Sequence, residues 1–213
     1  MAGWREPRIA YRHRSYYLTV EYYLQVIKSL KLRIPSKGIV IDVGCGKGYM
    51  VEFFRKLGLQ AIGLDLSKEM LKEAKKSALE VVLGDARYIP FRSSATQIVT
   101  CFEVLEHVIE PQKVLSEIYR VLSNGGIFIA TMPLKHPINV VVDFLRGEKT
   151  HLTMLTAKEW LAMISSFLNI VGYKTLFVLP IPPTLFRRYF ILDLGLLNTH
   201  LWLRGVKHDL HDG

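Results

Sequence analysis

Ile39-Val40-Ile41-Asp42-Val43-Gly44-Cys45-Gly46-Lys47-Gly48-Tyr49 is the stretch that decides how this chain folds. Three β-branched residues predict a buried strand. A carboxylate, Asp42, stands at its C-terminal end, and three glycines follow at alternate positions. Glycines so spaced let the backbone turn tightly and approach a ligand with no side chain between them. The dinucleotide fingerprint G-x-G-x-x-G would need glycine where Tyr49 stands. A phosphate-binding Walker loop would need Ser or Thr after Gly-Lys, and Gly48 follows Lys47. The loop therefore suits a nucleoside-like ligand and lacks the usual pyrophosphate or triphosphate signature.

The acids downstream extend the pattern. Ala61-Ile62-Gly63-Leu64-Asp65-Leu66-Ser67 reads as a second strand ending in an acid. One carboxylate can accept both donors of a ribose diol. Glu80-Val81-Val82-Leu83-Gly84-Asp85-Ala86 reads as a third strand, and Asp85 could accept from an exocyclic adenine amine. Gln97 to Phe102 reads as a fourth. Carboxylates at three successive strand ends put a row of acceptors on the C-terminal edge of a parallel sheet, where such folds bind ligands. The plainer reading, that Asp65 and Asp85 only cap the following helices, explains one acid better than three in register with a glycine loop.

Taken together, Asp42 to Gly48, Gly63-Leu64-Asp65-Leu66-Ser67, Gly84-Asp85-Ala86 and Glu103-Val104-Leu105-Glu106-His107-Val108 resemble the successive motifs of class I S-adenosylmethionine-dependent methyltransferases. The resemblance covers about Pro35 to Tyr173. It implies a three-layer α/β, Rossmann-like fold whose sheet is mostly parallel with an antiparallel last strand. It implies S-adenosylmethionine as cofactor, with Asp42, Gly44, Cys45 and Gly46 on its methionine part and Asp65 with Leu66 at the ribose. Met70, Asp85 and Ala86 would face adenine, and Phe102 is a further cofactor-binding candidate. It leaves the methyl acceptor open, because these motifs serve the cofactor.

The elements between and after the motifs alternate, as a three-layer sheet requires. Helices are expected over 48–57, 67–78 with Ser67 as N-cap, 111–122, and from Thr156 to Phe167. Asn124-Gly125-Gly126 should close the third of these before a fifth strand at 126–131. A short helix is expected around Ile138 to Leu145, a strand over 170–179, and a final strand over 198–207. The apolar run from Thr184 to Leu197 reads as a helix between those last two strands, or else as a wall for an apolar substrate, a membrane or a second subunit. The whole chain, 1–213, is expected to form one domain: a helical lid at 1–38, a cofactor-binding core at 39–133, and a substrate-side insertion with terminal strands at 134–213.

Charge and composition bear on partners. The net charge of +9 divides as +6 over residues 1–38, zero over 39–133 and +3 over 134–213. The flanks, where this fold grafts substrate recognition, are thus the basic parts. The first flank holds five of the ten tyrosines, and Val20, Tyr23, Leu24, Ile27 and Leu30 recur at helical spacing. That favours a lid packed on the domain over a nucleic-acid platform, though RNA stays a possible partner. No run of eighteen residues is apolar enough to span a membrane, and the first residues lack the apolar core of a signal peptide. Cys45 and Cys101 fit neither a disulfide framework nor a zinc site, and read as small buried thiols in a reducing cytoplasm.

For chemistry, Glu103, Glu106 and His107 stand at i, i+3 and i+4, so a helical turn would set all three on one face beside the methyl group. Glu103 and His107 are the catalytic candidates, with His107 as base or donor. The E-x-x-E-H pattern resembles the metal site of small-RNA 3′-terminal 2′-O-methyltransferases and the same stretch in ubiquinone-pathway O-methyltransferases. A divalent metal held by Glu103, Glu106 and His107, with His151 or His136 completing the set, is possible but not favoured. Three functions follow: methylation of an oxygen or nitrogen on a small or lipid-like molecule, by a monomer or a homodimer; methylation of RNA at a ribose 2′-hydroxyl; or cofactor binding without catalysis. Cys101-Phe102-Glu103-Val104 stands where base-amino methylation would place a motif such as N-P-P-Y.

Overall fold

The computed structural model describes residues 14–77, 79–140, 151–180, 189–195 and 198–207. Their elements are α1 (Arg14–Ser29), β1 (Ile39–Val43), α2 (Tyr49–Lys56), β2 (Gln60–Asp65), α3 (Lys68–Lys75), β3 (Val81–Leu83), β4 (Thr96–Phe102), a 3-10 turn (Leu105–His107), α4 (Pro111–Val121), β5 (Leu122–Pro133), α5 (Ala157–Ser165), β6 (Asn169–Pro180), β7 (Tyr189–Leu192) and β8 (His200–Val206). The sheet runs in the order β3-β2-β1-β4-β5-β8-β6-β7. Strands β1 to β5 are mutually parallel, whereas β8 pairs antiparallel with both β5 and β6. The α/β fold with a mostly parallel sheet and an antiparallel last strand is therefore what forms.

Side-chain alternation explains the layers. Along β1, Val40 packs with α1, α2 and α3, while Ile41 and Val43 pack with α4 and α5. Ile98 and Val99 of β4, and Ile129 and Phe128 of β5, divide in the same way. Period-two alternation with both faces apolar is what a strand covered by helices on each side requires. Of the expected stripe, Val20, Leu24 and Ile27 are buried in α1, Leu30 is buried just past its end and Tyr23 is half-buried, while Tyr22 and Val26 widen the buried face. Ser67 caps α3 by accepting from the Met70 N–H at 3.3 Å, and Thr156 and Glu159 form a reciprocal capping box on α5.

Three local expectations are corrected. The apolar run before the last strand is not a helix where it is described: Tyr189–Leu192 is strand β7, antiparallel to Phe177–Pro180. The reason is the length of β6, whose last four residues run past the end of β8 and are paired instead by a Tyr-Phe-Ile-Leu segment. Residues 181–188 and 196–197 of that run lie outside the described residues. The turn expected at Asn124-Gly125-Gly126 is absorbed into β5 as an irregularity, with Gly125 at φ +69° and the β4 register shifting between Thr96 and Ile98. Third, Glu103 has φ +54° and precedes the 3-10 turn, so Glu103, Glu106 and His107 do not share a helical face. The short helix expected from Ile138 is helical through Val140, and its remainder lies outside the described residues.

Candidate functional site

Because β3, β2, β1 and β4 lie side by side and point the same way, Asp85, Asp65, Asp42 and Glu103 come to one edge in that order. The glycine loop crosses this edge. Gly44 and Gly46 adopt φ +73° and +51°, and the N–H groups of Gly44 and Cys45 both donate to the Leu64 carbonyl at 2.7 and 3.0 Å. A Cβ on Gly44 would lie 2.2 Å from Val104 Cγ2, so only glycine lets the loop close against the segment after β4. A Cβ on Gly46 would meet nothing within 4 Å, so this glycine faces open space that a ligand can use.

Asp65 ties the loop to the second strand. Its Oδ2 accepts from the Gly46 N–H at 2.7 Å, and its Oδ1 accepts from the Ser67 N–H at 2.8 Å. The carboxylate is held at both oxygens, yet each retains a lone pair that can accept a further donor. Beside it, Leu66 and Met70 are 71% and 40% exposed, an apolar surface next to a fixed acid. Gly63 is small because Cys45 Sγ would lie 2.5 Å from any Cβ there. Cys45 is thus a thiol wedged under the loop, and burial pushes its ionisation up and out of nucleophilic range. Burial has the same effect on Cys101.

A cavity of about 190 Å³ opens where the loop meets β4, lined by Tyr23, Asp42, Gly44, Cys45, Gly46, Lys47, Tyr49, Met50 and Phe102. Five of the expected cofactor residues, Asp42, Gly44, Cys45, Gly46 and Phe102, therefore share one wall. Asp42 is buried and accepts from the Thr100 hydroxyl at 2.6 Å. Burial pushes its carboxyl up to about 7, against the lowering effect of that hydroxyl and with a smaller push from Asp65. Asp85 and Ala86 lie farther along the edge. The guanidinium of Arg87 holds Asp85 at 2.6 Å and draws its carboxyl below the usual range, so an adenine amine would share that acid with Arg87. Larger clefts of about 590 and 520 Å³ lie against β6 and far from the acids, so size does not mark the site.

Past β4 the expected catalytic residues separate into two groups. Glu106 Oε1 lies 3.7 Å from His107 Nε2, and the His107 and His151 rings are 5.0 Å apart. One donor atom from each of these three falls within 4.8 Å of the others, a spacing that could hold a metal ion. Of the two histidines expected to complete such a set, His151 joins it. Nδ1 of His136 instead accepts from the Ile138 N–H at 3.2 Å. Glu106 is fully buried, and neither of its oxygens meets a hydrogen-bond donor among the described residues. Burial, and then Glu103, pushes its carboxyl well above the ordinary range. Glu103 stands with a different partner: its Oε2 is 3.8 Å from Nε2 of His200.

Sequence reasoning missed His200 and the place of Tyr23. The Tyr23 ring stacks on Phe102 at 4.1 Å, so α1 supplies part of the cavity wall. The neighbouring Tyr22 hydroxyl accepts from Trp202 Nε1 at 3.1 Å and pins α1 to β8. The helical stripe foretold that α1 packs inward, but not against which strands.

Residues 41–130 match the family described as a methyltransferase domain. The chain is similar to the ubiquinone biosynthesis O-methyltransferase of Nitrosomonas europaea, 34% identical over 139 residues that cover 61% of this chain and 57% of that protein. It is similar to an uncharacterized protein of Methanocaldococcus jannaschii, 31% identical over 64% of this chain and 61% of that one. The chain thus spans about three fifths of the length of these curated relatives. In fold it is similar to a chain of the complex between the Haloferax volcanii Trm112 methyltransferase activator and a putative methyltransferase, with TM-score 0.71 and 20% identity over 92% of this chain and 93% of that one. A putative methyltransferase of Bacillus halodurans gives TM-score 0.67 and 18% identity over 87% and 98%.

Proposed function

With residues 41–130 belonging to the class I S-adenosylmethionine-dependent methyltransferases, we propose that this chain transfers a methyl group from S-adenosylmethionine to a hydroxyl on a small or lipid-like molecule. The observation that carries the cofactor reading is Asp65, fixed between the Gly46 and Ser67 N–H groups with acceptor capacity to spare. The residues suit the group: a diol finds a carboxylate at Asp65, an aromatic base finds Leu66 and Met70, and a cation finds Asp42. Bound there, the cofactor supplies an electrophilic methyl carbon on a sulfonium. The chain's part is to align it, because displacement at carbon gains most from fixed geometry. The hydroxyl acceptor is favoured by the relatives' own names, which are ubiquinone biosynthesis O-methyltransferase and malonyl-[acyl-carrier protein] O-methyltransferase.

Titration calorimetry tests the cofactor. S-adenosylmethionine and S-adenosylhomocysteine should bind, and NADH should not. Asp65→Ala should weaken S-adenosylhomocysteine by about 1–3 kcal/mol, since it strands ligand donors and frees the Gly46 N–H. An unchanged dissociation constant in a folded Asp65→Ala protein would remove Asp65 from the site. A screen of cell-extract fractions with radiolabelled cofactor, treated with nuclease or extracted into organic solvent, separates a small acceptor from RNA. Residues 1–38 serve this reading as a lid, supported by the buried stripe of α1 and by Tyr23 in the cavity wall.

His107 is read as a group on the acceptor side. His107→Ala should lower turnover by about ten- to a hundredfold and leave cofactor affinity within twofold, because such a group acts after the cofactor is seated. Activity should persist in chelator. Loss in chelator with recovery on Mg²⁺ or Mn²⁺ would instead make Glu106, His107 and His151 a required metal site. Wild-type turnover in His107→Ala would make the segment a structural turn.

A further inference from the structure

We infer that Arg87 selects the base of the bound nucleoside: it holds Asp85, and passes to Glu110 when an exocyclic amine claims that acid. The inference rests on the methyltransferase reading and adds to it a specificity residue for the adenine end of the cofactor.

The strand register sets the distance scale. Asp65 is in register with Leu83 of the neighbouring strand, two residues before Asp85. Adjacent strands lie about 4.8 Å apart. A nucleoside whose diol meets Asp65 therefore carries its base past Leu66 and Met70 toward Asp85, one strand over. The acid it meets there is already filled. The Arg87 backbone N–H donates to Oδ1 at 2.9 Å. The Nε–H of the same residue is shared between Oδ1 and Oδ2, at 3.1 Å from each. Its Nη2 donates to Oδ2 at 2.6 Å. Each oxygen thus faces two donors, which matches its two lone pairs. An amine reaches Asp85 only if the guanidinium yields a place.

The backbone does not supply that movement, because its neighbours clamp it. The Gly84 N–H donates to the Asp65 carbonyl at 3.0 Å, and the Tyr88 N–H donates to the Asp85 carbonyl at 2.9 Å. Helix α4 holds the far end of the loop. Glu117 Oε2 accepts from the Ile89 N–H at 2.8 Å. Arg120 donates to the Ile89 carbonyl at 2.8 Å and to the Phe91 carbonyl at 2.7 Å. Ile89 itself is buried. The Arg87 side chain, 34% exposed, is the part left to move.

Helix α4 also supplies the landing place. Glu110 immediately precedes its first residue, Pro111. Lys113 holds Glu110 Oε1 at 2.8 Å. Glu110 Oε2 lies 3.6 Å from Nη1 of Arg87, an ion pair just outside hydrogen-bond reach. The guanidinium thus stands between two carboxylates, bonded to one and adjacent to the other. A small rotation at the end of the side chain exchanges the Nη2 bond to Asp85 for an Nη1 bond to Glu110, and the cation keeps an anionic partner at both ends of the move. Asp85, which Arg87 draws below the usual carboxylate range, is an ionised acceptor before and after. A base with a carbonyl in place of the amine brings an acceptor and not a donor, so it takes nothing from Asp85 and leaves Arg87 where it is. The exchange therefore separates an amino base from an oxo base.

Calorimetry on the full chain with S-adenosylhomocysteine and with its 6-oxo counterpart, S-inosylhomocysteine, reads the exchange. Arg87→Ala removes the competitor and should tighten S-adenosylhomocysteine about two- to fivefold, the range of a partly exposed ion pair. It should bind S-inosylhomocysteine no more tightly than the wild type does. Glu110→Gln removes the landing place and should weaken S-adenosylhomocysteine about two- to threefold. In the Arg87→Ala background, Glu110→Gln should change nothing, because its influence runs through the guanidinium. Weaker S-adenosylhomocysteine in Arg87→Ala would make Arg87 a direct ligand contact and overturn the exchange. An unchanged affinity, an equal gain for the 6-oxo ligand, or a Glu110→Gln loss that persists without Arg87 would overturn it as well. Asp85→Asn that binds S-adenosylhomocysteine as the wild type does would take the base away from Asp85, and the inference with it. Failure of S-adenosylhomocysteine to bind the wild type would instead strike the methyltransferase reading, so the two failures are distinguishable.

Discussion

Gly44→Ala should fold with a loss of about 2–4 kcal/mol in stability and bind S-adenosylhomocysteine at least a hundredfold more weakly. Two separate penalties add. At φ +73°, a Cβ is disfavoured by about 1–2 kcal/mol whatever surrounds it. The same Cβ would stand 2.2 Å from Val104 Cγ2, far inside van der Waals contact. Val104 is β-branched and cannot swing a terminal methyl aside as Met or Leu could. It also directly follows Glu103, so relief by movement displaces that strand end together with the loop. The double variant Gly44→Ala, Val104→Ala should regain the clash part of the loss and keep the conformational part. Gly46→Ala is the contrast: its Cβ enters open space, so stability should fall by only about 1 kcal/mol while affinity still falls, because that space belongs to the ligand. Denaturant unfolding and calorimetry on the four proteins give the comparison. Equal affinity losses and equal stability losses in Gly44→Ala and Gly46→Ala would show that the loop is a generic turn.

What the sequence made legible is what local chemistry determines. A strand that ends in an acid and enters a glycine loop needs no knowledge of its neighbours, and Asp42, Gly44, Gly46 and Asp65 stand where their spacing put them. Cap residues are equally local, and Ser67 and Thr156 both cap as their types suggest. The failures share a cause: they depend on pairing between distant segments. The segment at Tyr189–Leu192 reads as helix or strand by composition, and pairing with the last four residues of β6 makes it a strand. Glu103, Glu106 and His107 have helical spacing, but spacing implies a shared face only if the first residue is helical, and Glu103 is left-handed. His200 looks like one polar residue in an alternating run. It comes within 3.8 Å of Glu103 only because β8 is inserted antiparallel between β5 and β6. Arg87, two residues past Asp85, donates to that acid, a pairing local enough for spacing alone to suggest.

Asp42→Asn should remove a pH dependence from both stability and cofactor affinity. In the ligand-free fold the Asp42 carboxyl is pushed up to about 7, from 3.8 in the unfolded chain. The folded protein therefore holds a proton that the unfolded chain releases between those values. The resulting stability is fully present below about pH 4 and is lost as pH rises through 7. Three pH units correspond to roughly 4 kcal/mol. The buried Glu106 carboxyl, also raised, acts in the same direction, so the difference between wild type and Asp42→Asn is the quantity to read. Cofactor binding inverts the local preference. A sulfonium and an ammonium brought to the cavity that Asp42 lines favour its ionised form, so binding near pH 6 should expel close to one proton. The logarithm of the association constant should then rise with a slope approaching one from pH 5 to 7 and flatten above. Calorimetry at pH 6 in two buffers of different ionisation enthalpy counts the proton directly. Affinity that is flat from pH 5 to 7.5, or a slope that survives in Asp42→Asn, would mean that Asp42 supports the strand without meeting the charge of the ligand.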